Sequence, residues 1–327
     1  MDRLHILVPV LNATLESLKN SHLASLRLRL QPLVQAAEKI GFLITIGAVI
    51  PGETKLIVVG KIGEDVAKIY GVHWVRQLID ALNSGARVLI DYTDHHLVQN
   101  NNMSLFYRSL LNLEVGFIVP NTYLAQELKT IKPNMSEVYV IRDMCEYTVI
   151  PPKVSGNSET SALWFGHSSN LLSLLTLLRN WPKAKKKSSL TIVSNKESVQ
   201  ALGVYSSRNS LSVDIAFVEW SVKAVREFAN KSDFSVIPFD LKSPKRFAST
   251  NRLNTALTLG LPVCATAIPS YNDLNKYFEN LDSNSLSQMI ENPEMGHPKV
   301  LEYQREVYHL YSIDKVSSDW KNLLSLK

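Results

Sequence analysis

The sequence predicts an α/β protein built from two doubly wound parallel sheets. Strand-like and helix-like segments alternate along almost the whole chain, the pattern of βα units. The strands read as short continuous apolar runs, as expected of strands covered on both faces. At 327 residues the chain is long enough for two cores.

In the first half, strands are expected near His5–Val8, Phe42–Ile46, Leu56–Val59, Arg87–Ile90, Val115–Val119 and Val138–Ile141. The intervening helices fall at Ser25–Ile40, Glu64–Leu82, Met103–Asn112 and Thr122–Lys129, each with apolar residues at helical spacing. Pro151, Pro152 and the polar run Ser155–Ser161 have the composition of a linker. Beyond it, strands near Leu163–Phe165, Leu190–Val193, Val213–Phe217, Phe234–Ile237 and Val263–Ala265 alternate with helices at Asn170–Arg179, Glu197–Leu202, Ser221–Ala229 and Asn251–Leu259. A helical tail runs from Leu301 to Leu326, with Tyr308, Leu310, Val316, Trp320 and Leu324 as its anchors. The expected domains are therefore 1–152 and 162–300, joined by a linker at 153–161 and followed by the tail at 301–327.

Hydrophobic residues make up 45% and charged residues 20%, the balance of a globular protein. A net charge of +5 suits either anionic partners or an ordinary solvated surface. Two cysteines far apart, Cys145 and Cys264, point to a reducing compartment without a disulfide framework. The N-terminus reads as a first strand, and the longest apolar run, Phe42–Ile50, is far too short to span a bilayer. A cytoplasmic protein is expected. The Lys183–Lys187 cluster is either a solvated loop or a contact with an inner membrane surface.

The most informative stretch runs from Lys242 to Tyr271. Lys242, Lys245 and Arg246 lead in, Ser249, Thr250 and Asn251 are cap-type residues, and Arg252 opens the apolar run of a helix. Gly260 ends that helix and Pro262 forbids its continuation into the strand Val263–Ala265. A helix N-terminus with cations beside it is an anion site.

This stretch, with Asn-Arg, Ala-Leu-x-Leu-Gly-Leu-Pro-Val and Pro-Ser-Tyr in order, resembles the donor-binding half of GT-B glycosyltransferases, in particular the family-four-like group (glycosyl transferases group 1). The resemblance is stronger in the C-terminal half than in the N-terminal half. It implies two Rossmann-like domains facing a cleft, a C-terminal helix crossing back onto the first, and transfer of a sugar from a nucleotide diphosphate sugar to an acceptor hydroxyl. It also implies no bound metal and no cofactor beyond the donor. Expected partners are a nucleotide sugar and a glycan, lipid-linked or small-molecule acceptor, with no nucleic acid. Retaining enzymes of that group usually carry two glutamates around this helix; here Phe247 and Thr255 stand in their places. A non-catalytic GT-B-like nucleotide- or sugar-binding protein is the alternative.

Open α/β sheets bind ligands beyond the carboxyl ends of their strands, so the loops after strands carry the other candidates. Gly166-His167-Ser168-Ser169-Asn170 is either a phosphate-approaching loop, with Gly166, His167 and Asn170 at the donor, or a plain capped turn. Trp220 either stacks on the nucleotide base or packs at a helix start. For the diphosphate the candidates are Lys242, Lys245, Ser249, Asn251 and Arg252, since a lysine offers a point charge and an arginine a bidentate grip. In the run Asp91–His96, Asp94 and His95 are candidates for binding sugar hydroxyls or acting as base toward the acceptor, and helix capping by Asp94 is the bland reading. Arg27 and Arg29 either meet an anionic acceptor or the donor phosphates, or form a cationic helix face. Dinucleotide, Walker-type, nucleophile-elbow and paired-cysteine zinc motifs are absent from the sequence.

Overall fold

The computed structural model describes residues 2–9, 16, 21, 23–135, 137–154 and 158–326, without the side chains of Pro244 and Lys245. The chain forms two compact units, the first made of Met1–Met144, Phe247–Ser249 and Tyr311–Lys327, the second of Cys145–Arg246 and Thr250–Leu310. The sequence placed the boundaries at 152 and 301. They shift because hydrogen bonds bind those segments to the second unit: Ile150 N–H donates to the Thr258 carbonyl (2.9 Å) and the Gln304 side-chain Nε2 to the Ile150 carbonyl (2.8 Å). Residues 155–157 of the expected linker lie outside the described residues.

The first unit holds a six-stranded parallel sheet of β1 (Arg3–Leu7), β2 (Leu43–Gly47), β3 (Thr54–Val59), β4 (Arg87–Asp91), β5 (Gly116–Val119) and β6 (Val138–Val140), in the order β2-β1-β3-β4-β5-β6. Its helices are α1 (Gln31–Ile40), α2 (Glu64–Asn83), α3 (Asn102–Leu111) and α4 (Thr122–Ile131). Strand alternation divides the apolar residues between two layers. Ile57 and Val59 join Trp74 and Leu78 of α2 on one face, while Leu56 and Val58 join Leu33 and Val34 of α1 on the other. Asn101 and Asn121 cap α3 and α4 by accepting from Ser104 N–H and Leu124 N–H. The expected helix from Ser25 is different in detail: Ser25 makes no capping bond, and a π-turn over Leu26–Leu30 precedes α1. All five residues of that turn are buried, Arg27 and Arg29 among them.

The second unit holds β7 (Thr160–Phe165), β8 (Ser188–Ser194), β9 (Asp214–Glu219), β10 (Phe234–Ile237), β11 (Val263–Ala265) and β12 (Glu279–Asn280), parallel and in the order β12-β11-β10-β7-β8-β9. Counted from β7, this is the 3-2-1-4-5-6 order of a dinucleotide-binding sheet, and the direction of winding reverses between β7 and β10. Its helices are α5 (Leu171–Arg179), α6 (Lys196–Arg208), α7 (Val222–Ala229), α8 (Asn251–Thr258), α9 (Ser283–Glu291) and α10 (His297–Glu306). Gly260 is left-handed (φ 82°), and a Cβ there would stand 2.7 Å from the Ile150 carbonyl oxygen, so both conformation and space demand glycine. The Lys183–Lys187 cluster lies between α5 and β8, at the amino edge of the sheet, where Glu291 accepts from two of its backbone N–H groups.

The last helix, α11 (Ile313–Leu324), belongs to the first unit. Val316, Trp320 and Leu324 are buried in the layer with α1, and Ser317 Oγ donates to Gln35 Oε1 (3.2 Å). Tyr308 and Leu310, the other expected anchors, precede this helix in the second unit and are half-buried. No helix of the described residues is long and apolar enough to cross a membrane.

Candidate functional site

The reversal between β7 and β10 places two loops side by side at the carboxyl edge of the second sheet. The loop after β7 is tightly held. Gly166 N–H donates to the Val193 carbonyl (3.1 Å), Ser194 Oγ donates to the Gly166 carbonyl (2.7 Å), and Ser168 N–H donates to Asn195 Oδ1 (2.9 Å). His167 is exposed, and its Nδ1 accepts from Ser169 N–H (3.3 Å). From the loop after β10 come Phe239, Asp240 and Ser243, which with Ser169, Asn170, Leu172 and Ser173 line a cavity of about 80 Å³. Four hydroxyl or amide side chains and one carboxylate around a half-buried aromatic ring suit a polar ligand.

Arg252, in the first turn of α8, reaches this same edge. Its guanidinium carbon lies 4.5 Å from the centre of the Phe239 ring. Its Nη1 is covered from solvent and has no hydrogen-bond partner among the described residues. Burial depresses the guanidinium pKa, opposed by the nearby Tyr271. Gly166 packs close beside this side chain and the Trp164 indole. A Cβ there would sit 3.4 Å from Arg252 Nη1 and 3.1 and 3.2 Å from two carbons of the Trp164 indole. Tyr271 Oη and Trp164 Nε1 are likewise buried without partners among the described residues.

The other expected donor residues are more scattered. Lys242 is exposed, and its backbone N–H closes a turn onto Asp240 Oδ1 (2.9 Å). The Lys245 side chain lies outside the described residues. Asn251 is half-buried beside Arg252, and Ser249 falls in the first unit. Trp220 is half-buried after the edge strand β9, two strands from the reversal, its N–H donating to the Ser194 carbonyl (2.8 Å).

In the first unit, the loop after β4 carries the acid and imidazole groups. Lys61, from the loop after β3, forms an ion pair with Asp94 Oδ2, and His96 Nε2 stands 3.9 Å from the same oxygen. His95 is buried: its Nδ1 meets the Tyr92 hydroxyl (3.2 Å) and its Nε2 lies 3.8 Å from Glu127 Oε2. Tyr92 Oη also accepts from Leu97 N–H (3.0 Å). Phe247 packs edge-on to His95, 5.5 Å between ring centres, and its carbonyl accepts from Asn121 Nδ2 (3.1 Å). Among the described residues, no group of three or more His, Cys, Asp or Glu side chains is gathered as a metal site.

Arg27 and Arg29 depart from the expectation of an acceptor or phosphate contact. Arg29 Nε donates to both oxygens of Asp91 (2.7 and 2.9 Å), and its Nη1 donates to Asp143 Oδ1 and the Ile141 carbonyl (both 2.8 Å). Burial opposes the guanidinium charge, but the two carboxylates outweigh it and raise the pKa. Arg27 is also buried and donates to the Ser21 carbonyl (2.6 Å). Arg29 ties the π-turn to β4 and to the segment after β6. A surface helix face was the wrong picture, because a π-turn followed by a buried helix leaves no solvated side at Leu26–Leu30.

Sequence reasoning missed Phe239, Tyr271 and Lys61 as site residues. All three follow strands of their sheets, a positional signal that was present, but only the fold brings them to named partners.

Two parallel, doubly wound units in one chain, with a donor-rich reversal in the second, define the GT-B fold of glycosyltransferases. No protein-family model matches this sequence, and no curated protein matches it. Among solved structures, HepE of Anabaena, crystallised with UDP and glucose, superposes with a TM-score of 0.68 over 99% of this chain and 100% of its own, at 10% identity. The lipopolysaccharide outer core galactosyltransferase WaaB in its apo form gives 0.56 over 99% of each chain at 9% identity. The T4 phage β-glucosyltransferase gives 0.56 over 99% of this chain and 98% of its own at 10% identity. At such identities the likeness is one of fold.

Proposed function

We propose that this chain is a glycosyltransferase that moves a sugar from a nucleotide diphosphate sugar to an acceptor hydroxyl. The observation that carries this reading is the covered, unpartnered guanidinium nitrogen of Arg252 at the winding reversal of a dinucleotide-type sheet. An anion placed there satisfies it, and such sheets bind nucleotides at that point. Crystals of the similarly folded HepE hold UDP and glucose, which makes UDP the first nucleotide to try.

In the reaction the acceptor oxygen bonds to the anomeric carbon, the bond from that carbon to the diphosphate oxygen breaks, and the acceptor proton passes to a base. Charge grows on the departing diphosphate. Arg252 and the N-terminus of α8, whose Thr250 makes no side-chain cap, would stabilise it in the role a metal ion plays elsewhere. In the first unit Asp94 is the base candidate, half-buried and held by Lys61. His95 is enclosed by Tyr92, Glu127 and Phe247, and its role is to position the loop.

A second reading, a nucleotide-binding protein without transferase activity, is favoured by one observation. Phe247, at one of the two usual glutamate positions, is packed in the core of the first unit, and Thr255 at the other is buried in α8. Calorimetric titration with UDP, GDP and their sugars tests the shared premise, and the absence of binding by folded protein to any of them would sink both readings. Release of UDP from a bound nucleotide sugar, with or without an acceptor, separates the enzyme from the binding protein.

A further inference from the structure

The carboxyl edge of the second sheet holds polar hydrogens with nowhere to go. Tyr271 is 1% exposed, and its hydroxyl has no hydrogen-bond partner among the described residues. Arg252 Nη1 is in the same condition. The two side chains meet on one wall: the guanidinium lies over the Phe239 ring at 4.5 Å, and the Tyr271 ring meets Phe239 edge-on with 5.7 Å between centres. Phe278 holds the tyrosine from another side, 5.9 Å between ring centres. Both donors are thus fixed by packing while their hydrogens stay unused. Burying a donor without an acceptor costs stability, and native proteins complete nearly all such groups with protein, ordered water or a ligand.

We propose that Tyr271 is a phosphate-binding residue, its hydroxyl acting with Arg252 Nη1 as a two-donor clamp on the non-bridging oxygens of a diphosphate. The inference rests on the nucleotide-sugar reading for the identity of the ligand, but the clamp itself requires only an oxyanion. Tyrosine donates one hydrogen bond and arginine a charge-assisted one, so the pair favours an acceptor-only group such as phosphate over a sugar hydroxyl. Burial pushes the phenol pKa up to about 12, with Arg252 pulling the other way, so the hydroxyl keeps its proton at neutral pH. The clamp is prepared before the ligand arrives, which spares the ordering cost of binding. Gly166 places no side chain against Arg252 Nη1, where a Cβ would stand at 3.4 Å.

Wild-type protein and Tyr271→Phe are titrated with UDP and with pyrophosphate, and the ligand-free forms are melted. The clamp predicts that Tyr271→Phe binds both ligands about tenfold more weakly. It also predicts that the ligand-free variant melts no lower than wild type, because the lost hydroxyl had no partner. Equal affinities, or a loss of affinity accompanied by a lower melting temperature, would overturn it. Should Tyr271→Phe fail to fold, Arg252→Gln takes its place in the same titrations, and unchanged pyrophosphate affinity there is equally fatal. Wild type that binds pyrophosphate but not UDP keeps the clamp and removes the nucleotide-sugar reading. Wild type that binds UDP, with Tyr271→Phe indistinguishable from it, does the reverse, and binding of neither removes both.

Discussion

Arg252 rests over the Phe239 ring, its guanidinium carbon 4.5 Å from the ring centre, with Nη1 covered and unpaired. The aromatic face holds the cation without consuming its hydrogen bonds, because attraction to the ring is electrostatic and leaves the in-plane N–H groups free. Replacing Arg252 by alanine is expected to weaken UDP binding by about 1–3 kcal/mol, the scale of hydrogen bonds to charged groups. Calorimetry reads the affinity.

Gly166→Ala is expected to destabilise the second unit. The new Cβ would approach the Trp164 indole to 3.1 and 3.2 Å, and that ring is fully buried and unable to retreat. Overpacking of this kind costs about 1 kcal/mol or more, visible in a denaturation midpoint. The same Cβ would touch Arg252 Nη1 at 3.4 Å, an ordinary contact, so the loss is read in stability, and UDP affinity measured at equal folded fraction stays close to wild type.

The Arg29 network is a stability element. Arg29→Met leaves Asp91 and Asp143 buried without their countercharge, and breaking a buried pair in this way costs about 3–5 kcal/mol. Urea denaturation of Arg29→Met should show that loss, and a variant that also carries Asp91→Leu should recover part of it. A single variant as stable as wild type would refute the assignment.

His5 sets a pH dependence. It stands opposite Thr45 in the β1–β2 register, with Nδ1 at 2.9 Å from Thr45 Oγ1 and Nε2 at 3.2 Å from the Gly47 carbonyl. Burial lowers its pKa from 6.5 to about 4, and the bond to Gly47 only partly offsets this. The unfolded chain therefore takes up a proton between pH 6.5 and 4 that the folded chain refuses. Stability falls as pH drops through that window, by about 3 kcal/mol at most, and is independent of this group above it. Comparing the pH dependence of stability for wild type and His5→Asn between pH 7 and 5 isolates the contribution, and identical slopes would exclude it.

The fold was legible because its signals are local. Every strand expected from an apolar run is present, and Gly260 and Pro262 mark the end of α8 and the entry to β11 as their chemistry requires. Two-residue β12 was illegible because no periodicity fits in so short a strand. The tail from Leu301 was expected as one helix, but Val307 ends α10 and a short turn at Tyr308–Tyr311 intervenes before α11. That break decides which unit each anchor joins, and apolar spacing carries no information about it.

The candidate site was legible only in part. Arg252 and Gly166 follow from composition and position after strands. Arg29 did not, since a cation before a helix looks the same in sequence whether it faces water or two buried carboxylates. Residue order alone determined the alternation of strands and helices, the two sheets and the turn chemistry between them, because these depend on neighbours a few positions apart. Tertiary structure alone decided that Arg252, Phe239, Tyr271 and Gly166 share one corner while Arg29 closes on Asp91 and Asp143. Those meetings depend on strand order, and strand order is set by how whole faces pack rather than by any local pattern.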